Sequence, residues 1–410
     1  MRFVCNLFFL IIVLTAPVFS QNASSTSPLE PSVETLKSPE DEKKGGFSGQ
    51  FMTHIFHSKH GGIDHKTETP SMLKLEYSGK FGNDYRFYIN NLTLQGGCPS
   101  DHTGDLQGIS YIDSPDKNTF MEAWVEKDTD KNGGNIRFGL QDLNSEFDCT
   151  VVGWLFLNSS FGMGYEIAQT GNNGPSIFPV SSLGLRYKKE RKNGFYFQTG
   201  IYDGCPGDPE NHNGTHIILK KEDGILMTAE TGIHRGGNDD EKTPLFKIAL
   251  GGWKYTSKFD DLIELDSTGN AVKNKNNQGF YMICSKRLWQ GKRNADRRIS
   301  AFIRMGFANP HINQVESMLT AGAYCTNILK KKDRLGLGIA RATNGSHWMK
   351  LEQLSGISHD DHETALEATW EIPVSENLIL QPDCQWIANP GTDESLKDAL
   401  SIGLNIAYTF

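Results

Sequence analysis

From Phe47 onward, short segments alternate apolar and polar residues, separated by Gly, Asn, Asp and Pro. Successive side chains of a strand point to opposite faces, so this period of two predicts β-strands. The last segment shows it best. Leu400, Ile402, Leu404, Ile406, Tyr408 and Phe410 fall on one face, and Ala399, Ser401, Gly403, Asn405, Ala407 and Thr409 on the other. In Ile136–Gln141, Ile136, Phe138 and Leu140 alternate with Arg137, Gly139 and Gln141. In Leu183–Lys188, Leu183, Leu185 and Tyr187 alternate with Gly184, Arg186 and Lys188. Ile299, Ala301, Ile303, Met305 and Phe307 face away from Arg304, and Leu380, Pro382, Cys384 and Trp386 oppose Gln381, Asp383 and Gln385. One face is apolar throughout. The other is glycine, amide and isolated arginine, which suits a crowded, curved interior better than open solvent.

There is no tandem repeat and no long helical periodicity, so the expected fold is all-β. Asn193-Gly194, closing Lys189–Gly194, is a hairpin signal, and Asn344-Gly345 and Ser375-Glu376-Asn377 read the same way. The longer polar stretches Pro206–His216 and Ser257–Asn277 are expected as extracellular or lumen-folded loops. At roughly 10 residues per tilted membrane strand plus turns, the chain holds about 16 strands of a transmembrane antiparallel β-barrel.

Composition adds the export context. Arg2 precedes the apolar run Phe3–Phe19, which ends in Val18-Phe19-Ser20; residues 1–20 read as a secretory signal peptide. Residues 21–45, rich in Ser, Pro, Glu and Lys, read as a disordered linker, and 46–410 as the barrel. Whether Phe47–Thr93 forms strands or a periplasmic segment stays open. After Gln21 no run approaches the ~20 apolar residues of a membrane helix. A formal net charge of -8 and a sequence pI near 5.9 give no support for nucleic-acid binding.

Of the seven cysteines, Cys5 lies in the signal peptide. Cys98, Cys149, Cys205, Cys284, Cys325 and Cys384 remain, an even number in an exported chain, so at least one disulfide is expected. Free thiols are the alternative, or intermolecular ones, which would fit a structural or adhesive outer-membrane barrel cross-linked through its cysteines. No CxxC pair is present, which argues against a zinc ribbon. His54, His57, His60 and His65 lie in a segment rich in Gly and Lys that reads as mobile, and Asp239-Asp240-Glu241 and Asp360-Asp361 read as solvated loops. No metal, cofactor or nucleic-acid partner is expected. Neither a phosphate loop nor a hydrolase motif is present, so the chain does not read as an enzyme.

Longer strings carry a resemblance. Gly104-Asp105-Leu106-Gln107-Gly108-Ile109-Ser110 comes first, then Gly139-Leu140-Gln141-Asp142-Leu143-Asn144-Ser145-Glu146-Phe147-Asp148 and Leu155-Phe156-Leu157-Asn158-Ser159-Ser160-Phe161-Gly162-Met163-Gly164. Asn173-Gly174-Pro175-Ser176-Ile177-Phe178-Pro179 and Asp203-Gly204-Cys205-Pro206-Gly207-Asp208-Pro209 follow. Leu380-Gln381-Pro382-Asp383-Cys384-Gln385-Trp386-Ile387-Ala388-Asn389-Pro390-Gly391 closes the set. In this order, from about Gln95 to Phe410, they resemble the OprB-type carbohydrate-selective porins. The resemblance implies a monomeric 16-stranded outer-membrane barrel that conducts glucose and related sugars without energy input. Phe47–Thr93 matches more loosely, and the six cysteines depart from the family's usual composition. The ending Tyr408-Thr409-Phe410 resembles the closing strand of many outer-membrane barrels. In those proteins this end is read by the barrel-assembly machinery, which implies the same partner for Phe410.

A sugar-selective constriction needs groups that exchange hydrogen bonds with hydroxyls and aromatic surfaces for the ring, with weak binding throughout. Asp142, Asn144, Glu146 and Asp148 share a period-2 face that continues the side of Arg137 and Gln141. They are candidates for the constriction; the alternative is a loop whose Asp and Asn cap turns. Arg137, Arg186 and Arg304 are candidate cationic partners, or else interior ion pairs that stiffen the wall. Gln381, Asp383 and Gln385 form a similar ladder. Phe161, Phe178, Tyr202 and Trp253 are candidate aromatic surfaces, although most barrel aromatics belong to interfacial girdles.

Overall fold

The computed structural model describes residues 45–410 except 131–132, 237–244, 275 and 293. The proposed signal peptide, nearly all of the linker and Asp239-Asp240-Glu241 lie outside the described residues. Among the described residues, sixteen long strands form one closed sheet. They are β1 (Gly46–His60), β2 (Ser71–Phe81), β3 (Tyr85–Gln95), β4 (Lys117–Asp130), β5 (Gly134–Gln141), β6 (Ser182–Glu190), β7 (Phe195–Asp203) and β8 (Ile225–Arg235). Then come β9 (Phe246–Tyr255), β10 (Gln278–Gln290), β11 (Arg298–Ala308), β12 (Val315–Thr326), β13 (Arg334–Asn344), β14 (His362–Pro373), β15 (Leu378–Ala388) and β16 (Ala399–Thr409). Every neighbouring pair is antiparallel. The sheet closes where β16 meets β1, with Thr409 opposite Gln50 and Leu404 opposite Ile55. Closure removes both sheet edges, which lipid could not satisfy. Phe47–Thr93, left open by the sequence, therefore supplies the first three strands. No helix among the described residues is long and apolar enough to cross a membrane.

The alternation decides which face meets lipid. Phe138, Leu185, Ile201, Leu250, Phe280, Ile303, Leu337, Trp386 and Ile402 are all exposed, whereas Arg137, Arg186, Arg304, Gln381, Asp383 and Gln385 are buried. So large an apolar surface would be an aggregation hazard in water and is the lipid band of a barrel. Three-residue and four-residue turns, such as 82–84 and 191–194, cluster at the end that also holds Gly45 and Phe410; the longest connections, 96–116, 142–181, 204–224 and 256–277, lie at the other. Short turns mark the periplasmic side and long loops the exterior.

Turn chemistry follows the sequence unevenly. Gly194 takes φ 82 and closes the β6–β7 turn, where Arg191 N–H donates to Phe195 O at 2.8 Å. Ser375–Asn377 also forms a tight turn. Asn344-Gly345 does not: Gly345 has φ -75 and leads into the helix Ser346–Leu354 at the outer mouth, which the hydrophobic pattern had not shown. Ser257–Asn277 folds into a small hairpin of Phe259–Leu265 and Ala271–Asn274.

The interior is not an empty tube. The connection 142–181 turns inward as short 3-10 and α turns, and its Val152, Leu155, Phe156, Leu157 and Phe161 form one buried cluster with Phe302, Val315, Met318, Tyr324 and Ala340 of the wall. The wall accommodates these rings because it is small there. A Cβ at Gly338 would lie 2.7 Å from the Phe161 ring, and one at Gly322 2.8 Å from Phe156. The glycines read from sequence as a curved interior are the seats of this inward segment.

Two further expectations are corrected. All six cysteines of the described barrel are free, so no disulfide forms; they sit on separate strands and loops, and Cys384 points outward. His54, His57 and His60 belong to β1 rather than to a mobile segment, and they do not converge: His54 is buried in the lumen with Nδ1 2.8 Å from Ser110 Oγ, while His57 is exposed.

Candidate functional site

The inner wall of β2–β6 carries a continuous polar ladder. Lys74 pairs with Glu76 at 3.1 Å. The Tyr88 hydroxyl donates to Glu76 at 2.7 Å, Asn90 donates to Tyr88 at 3.0 Å, and Trp124 Nε1 donates to Glu122 at 3.2 Å. Beyond Trp124 lies a square of charge. Arg137 reaches Glu126 at 3.1 Å and Glu146 at 3.0 Å; Arg186 reaches the same two carboxylates at 2.6 and 2.7 Å. The Arg137 guanidinium stacks 3.7 Å above the Trp124 ring, and its Nη1 has no hydrogen-bond partner. Such a contact stabilises by about 0.5–2 kcal/mol and holds the guanidinium against the wall. Arg86 extends the ladder with 2.8 Å to Glu126 and 2.6 Å to Asp128.

These residues converge for local reasons. Asn90 faces Glu122 while Asn91 faces Phe120, so Met121 is an extra residue in β4. That bulge shifts the phase and turns Glu122, Trp124 and Glu126 inward together. Arg137 of β5 lies directly opposite both Glu126 and Arg186, so the two cations would repel without the acids between them. Glu146 arrives from outside the strands, in the inward connection. Burial disfavours its charged form, but Arg186 and Arg137 outweigh this and hold its carboxyl well below the usual range.

A second cluster pins the inward connection. Arg304 bonds Asp148 at 2.8 and 2.5 Å and Glu166 at 3.0 and 2.5 Å. Arg304 is 2% exposed and both acids 0%. Glu230 accepts from Asp148 N–H at 3.0 Å and from the Tyr281 hydroxyl at 2.7 Å.

Acids on β14 dock inward backbone on the opposite wall. Glu363 accepts from Leu106 and Gln107 N–H at 2.8 and 3.2 Å, and Glu367 from Leu157 and Asn158 N–H at 2.6 and 3.0 Å. Gln381 donates to Leu155 O at 2.7 Å, and Gln385 to Ile109 O and Asp383 at 2.8 and 3.0 Å.

The sequence candidates thus separate by geometry. Asp142–Asp148 is not a strand face, since Leu143–Ser145 is a 3-10 turn and Asp148 has φ 55. Asp142 accepts from Asn144 N–H at 2.8 Å, and Asn144 donates to Phe147 O at 3.2 Å, so these two shape the turn. Glu146 meets Arg137 and Arg186, and Asp148 meets Arg304. Gln381, Asp383 and Gln385 face inward and contact the inward segments or one another. Phe161, Tyr202 and Trp253 are packed into buried clusters, and Phe178 packs at the margin of another. The candidates omitted Trp124, Glu126, Glu166, Glu363 and Glu367. Glu363, Glu367 and Glu371 recur on the inward period of β14 and were legible; the bulge that gathers Glu122, Trp124 and Glu126 was not.

A model of the OprB family of carbohydrate-selective porins matches residues 83–410. Porin B of Pseudomonas aeruginosa is 26% identical over 320 residues, covering 70% of this chain and 67% of the relative. The fold is similar to the high-pH structure of Pseudomonas putida OprB, with a TM-score of 0.79 and 18% identity over 96% of this chain and 100% of that one. The low-pH structure of the same protein gives 0.57 and 14%, over 95% and 100%. The outer membrane channel DcaP of Acinetobacter baumannii gives 0.54 and 10%, over 89% and 97%.

Proposed function

The chain belongs to the OprB family of carbohydrate-selective porins, an outer-membrane β-barrel family, and on that premise we propose that it passes small sugars such as glucose by passive diffusion through a single-chain pore. The observation that carries this is the Arg137–Glu126–Glu146–Arg186 square lying against Trp124. Its two cations and two anions cancel, so the site offers donors and acceptors to hydroxyls without drawing ions of one sign. Trp124 and Tyr88, 5.4 Å apart and both buried, support the square rather than facing the sugar. Each hydrogen bond exchanged with water nets only about 0.5–1.5 kcal/mol, which keeps binding weak enough for release.

In this reading Glu146, the least buried member of the square, meets the passing sugar, and Arg137 and Arg186 hold its carboxylate in place. Arg304, Asp148, Gln381, Asp383 and Gln385 fix the inward segments that set the width, and Asp142 and Asn144 shape the turn before Glu146. Residues 1–20 direct export, 21–45 link, and 46–410 form the barrel. Phe410, whose backbone pairs with Gly49 at 2.8 and 2.9 Å at the closing seam, presents the terminus to the assembly machinery. The test is single-channel recording in a planar bilayer with glucose titrated on one side. Concentration-dependent, reversible reduction of ion current is expected; a steady conductance indifferent to glucose would refute the sugar site.

A further inference from the structure

At the outer mouth, three separate connections bring together a carboxylate and two imidazoles. Asp261 comes from the hairpin strand Phe259–Leu265, His311 from the turn 309–314 and His347 from the helix Ser346–Leu354. Asp261 lies 2.8 Å from His311 Nδ1 and 3.3 Å from His347 Nδ1, and the imidazole centroids are 3.8 Å apart. One ligand atom from each of the three lies within 4.8 Å of the others. The carboxylate is held ready, because its Oδ1 accepts from Ile263 and Glu264 N–H at 3.0 and 2.9 Å. The histidine side chains make no other hydrogen bond among the described residues. His311 is 39% and His347 18% exposed, so the cluster is open on one side.

We propose that Asp261, His311 and His347 bind a borderline divalent transition cation of the zinc class, which ties the three outer connections together. Two nitrogens and one carboxylate oxygen form a mixed donor set suited to such ions, with metal–ligand bonds of about 2.0–2.2 Å. Ligand atoms around such an ion sit about 3.3 Å apart, so the observed 2.8 and 3.3 Å separations need only small adjustment. Calcium and magnesium prefer all-oxygen shells and fit poorly. The exposed side leaves a coordination position for water. No sequence motif announces the site, because its ligands lie in three different connections. The inference stands independently of the sugar pathway.

The test is isothermal titration of Zn²⁺ into untagged, metal-stripped, detergent-solubilised barrel, with Co²⁺ absorption as a second readout. One Zn²⁺ per chain should bind, and bound Co²⁺ should show visible bands without a thiolate charge-transfer band. His311→Ala and His347→Ala should each lower affinity roughly 100-fold or more, exceeding the usual loss of a supporting residue, with heat-modifiable gel migration unchanged. Asp261→Asn should weaken binding less while keeping its turn. Ca²⁺ should not compete. No binding, equal binding in the double histidine variant, or a thiolate band in the Co²⁺ complex would overturn the proposal.

Discussion

Replacing Arg304 by Met should unpin the inward connection while leaving the barrel closed. The guanidinium is 2% exposed and makes four hydrogen bonds to Asp148 and Glu166, both 0% exposed. Met fills similar volume but strands two carboxylates. Breaking a buried pair by removing one partner costs about 3–5 kcal/mol. At about 1.4 kcal/mol per factor of ten, the undocked population rises roughly 100- to 4,000-fold. The strand ladder is untouched, because the side chain projects from β11 into the lumen. Single-channel recordings should show higher mean conductance with large open-channel fluctuations. Limited proteolysis gives an independent readout. Residues 142–181 contain no Lys or Arg but are rich in Phe, Tyr, Trp and Leu, so chymotrypsin should cut the variant there and trypsin should not. The triple variant Arg304→Met, Asp148→Asn, Glu166→Gln removes the stranded charges and should recover much of the docking. Unchanged conductance noise and chymotrypsin resistance in Arg304→Met would refute the pinning role.

Further outcomes follow from the same geometry. Glu146→Gln keeps the side-chain size but leaves Arg137 and Arg186 with Glu126 alone; sugar block should weaken by up to about tenfold, and ion preference should move toward anions in reversal-potential measurements. Phe410→Asp places charge on an exposed ring position beside Tyr408 at the closing seam, and should sharply reduce heat-modifiable protein in outer-membrane fractions. Because the six described cysteines are free, denatured but unreduced mature protein should take up six maleimide labels; fewer would show a disulfide.

Much of the barrel was legible because lipid and lumen impose opposite demands on alternate residues. The β16 alternation from Ala399 to Phe410 and the isolated arginines at 137, 186 and 304 gave the correct inward and outward faces. The lumen was harder to read. Asp142, Asn144, Glu146 and Asp148 keep a period of two by composition, yet Gln141 ends the strand and the chain turns inward. Val152–Phe161 is apolar enough for a strand, and its burial against Gly322 and Gly338 depends on residues far along the chain. The Met121 bulge, which turns Trp124 inward beneath Arg137, has no local signature. The even cysteine count suggested bonding, but the six thiols sit on separate strands and loops and stay free. Helix Ser346–Leu354 is too short to stand out from a polar loop.

The central claim, that this barrel is a sugar-selective diffusion pore, is tested most directly by swelling of liposomes containing the purified protein. A series of neutral sugars of increasing size should give rapid swelling for monosaccharides and a steep fall for larger ones, with no energy source. Rates that match protein-free liposomes for every sugar would contradict it.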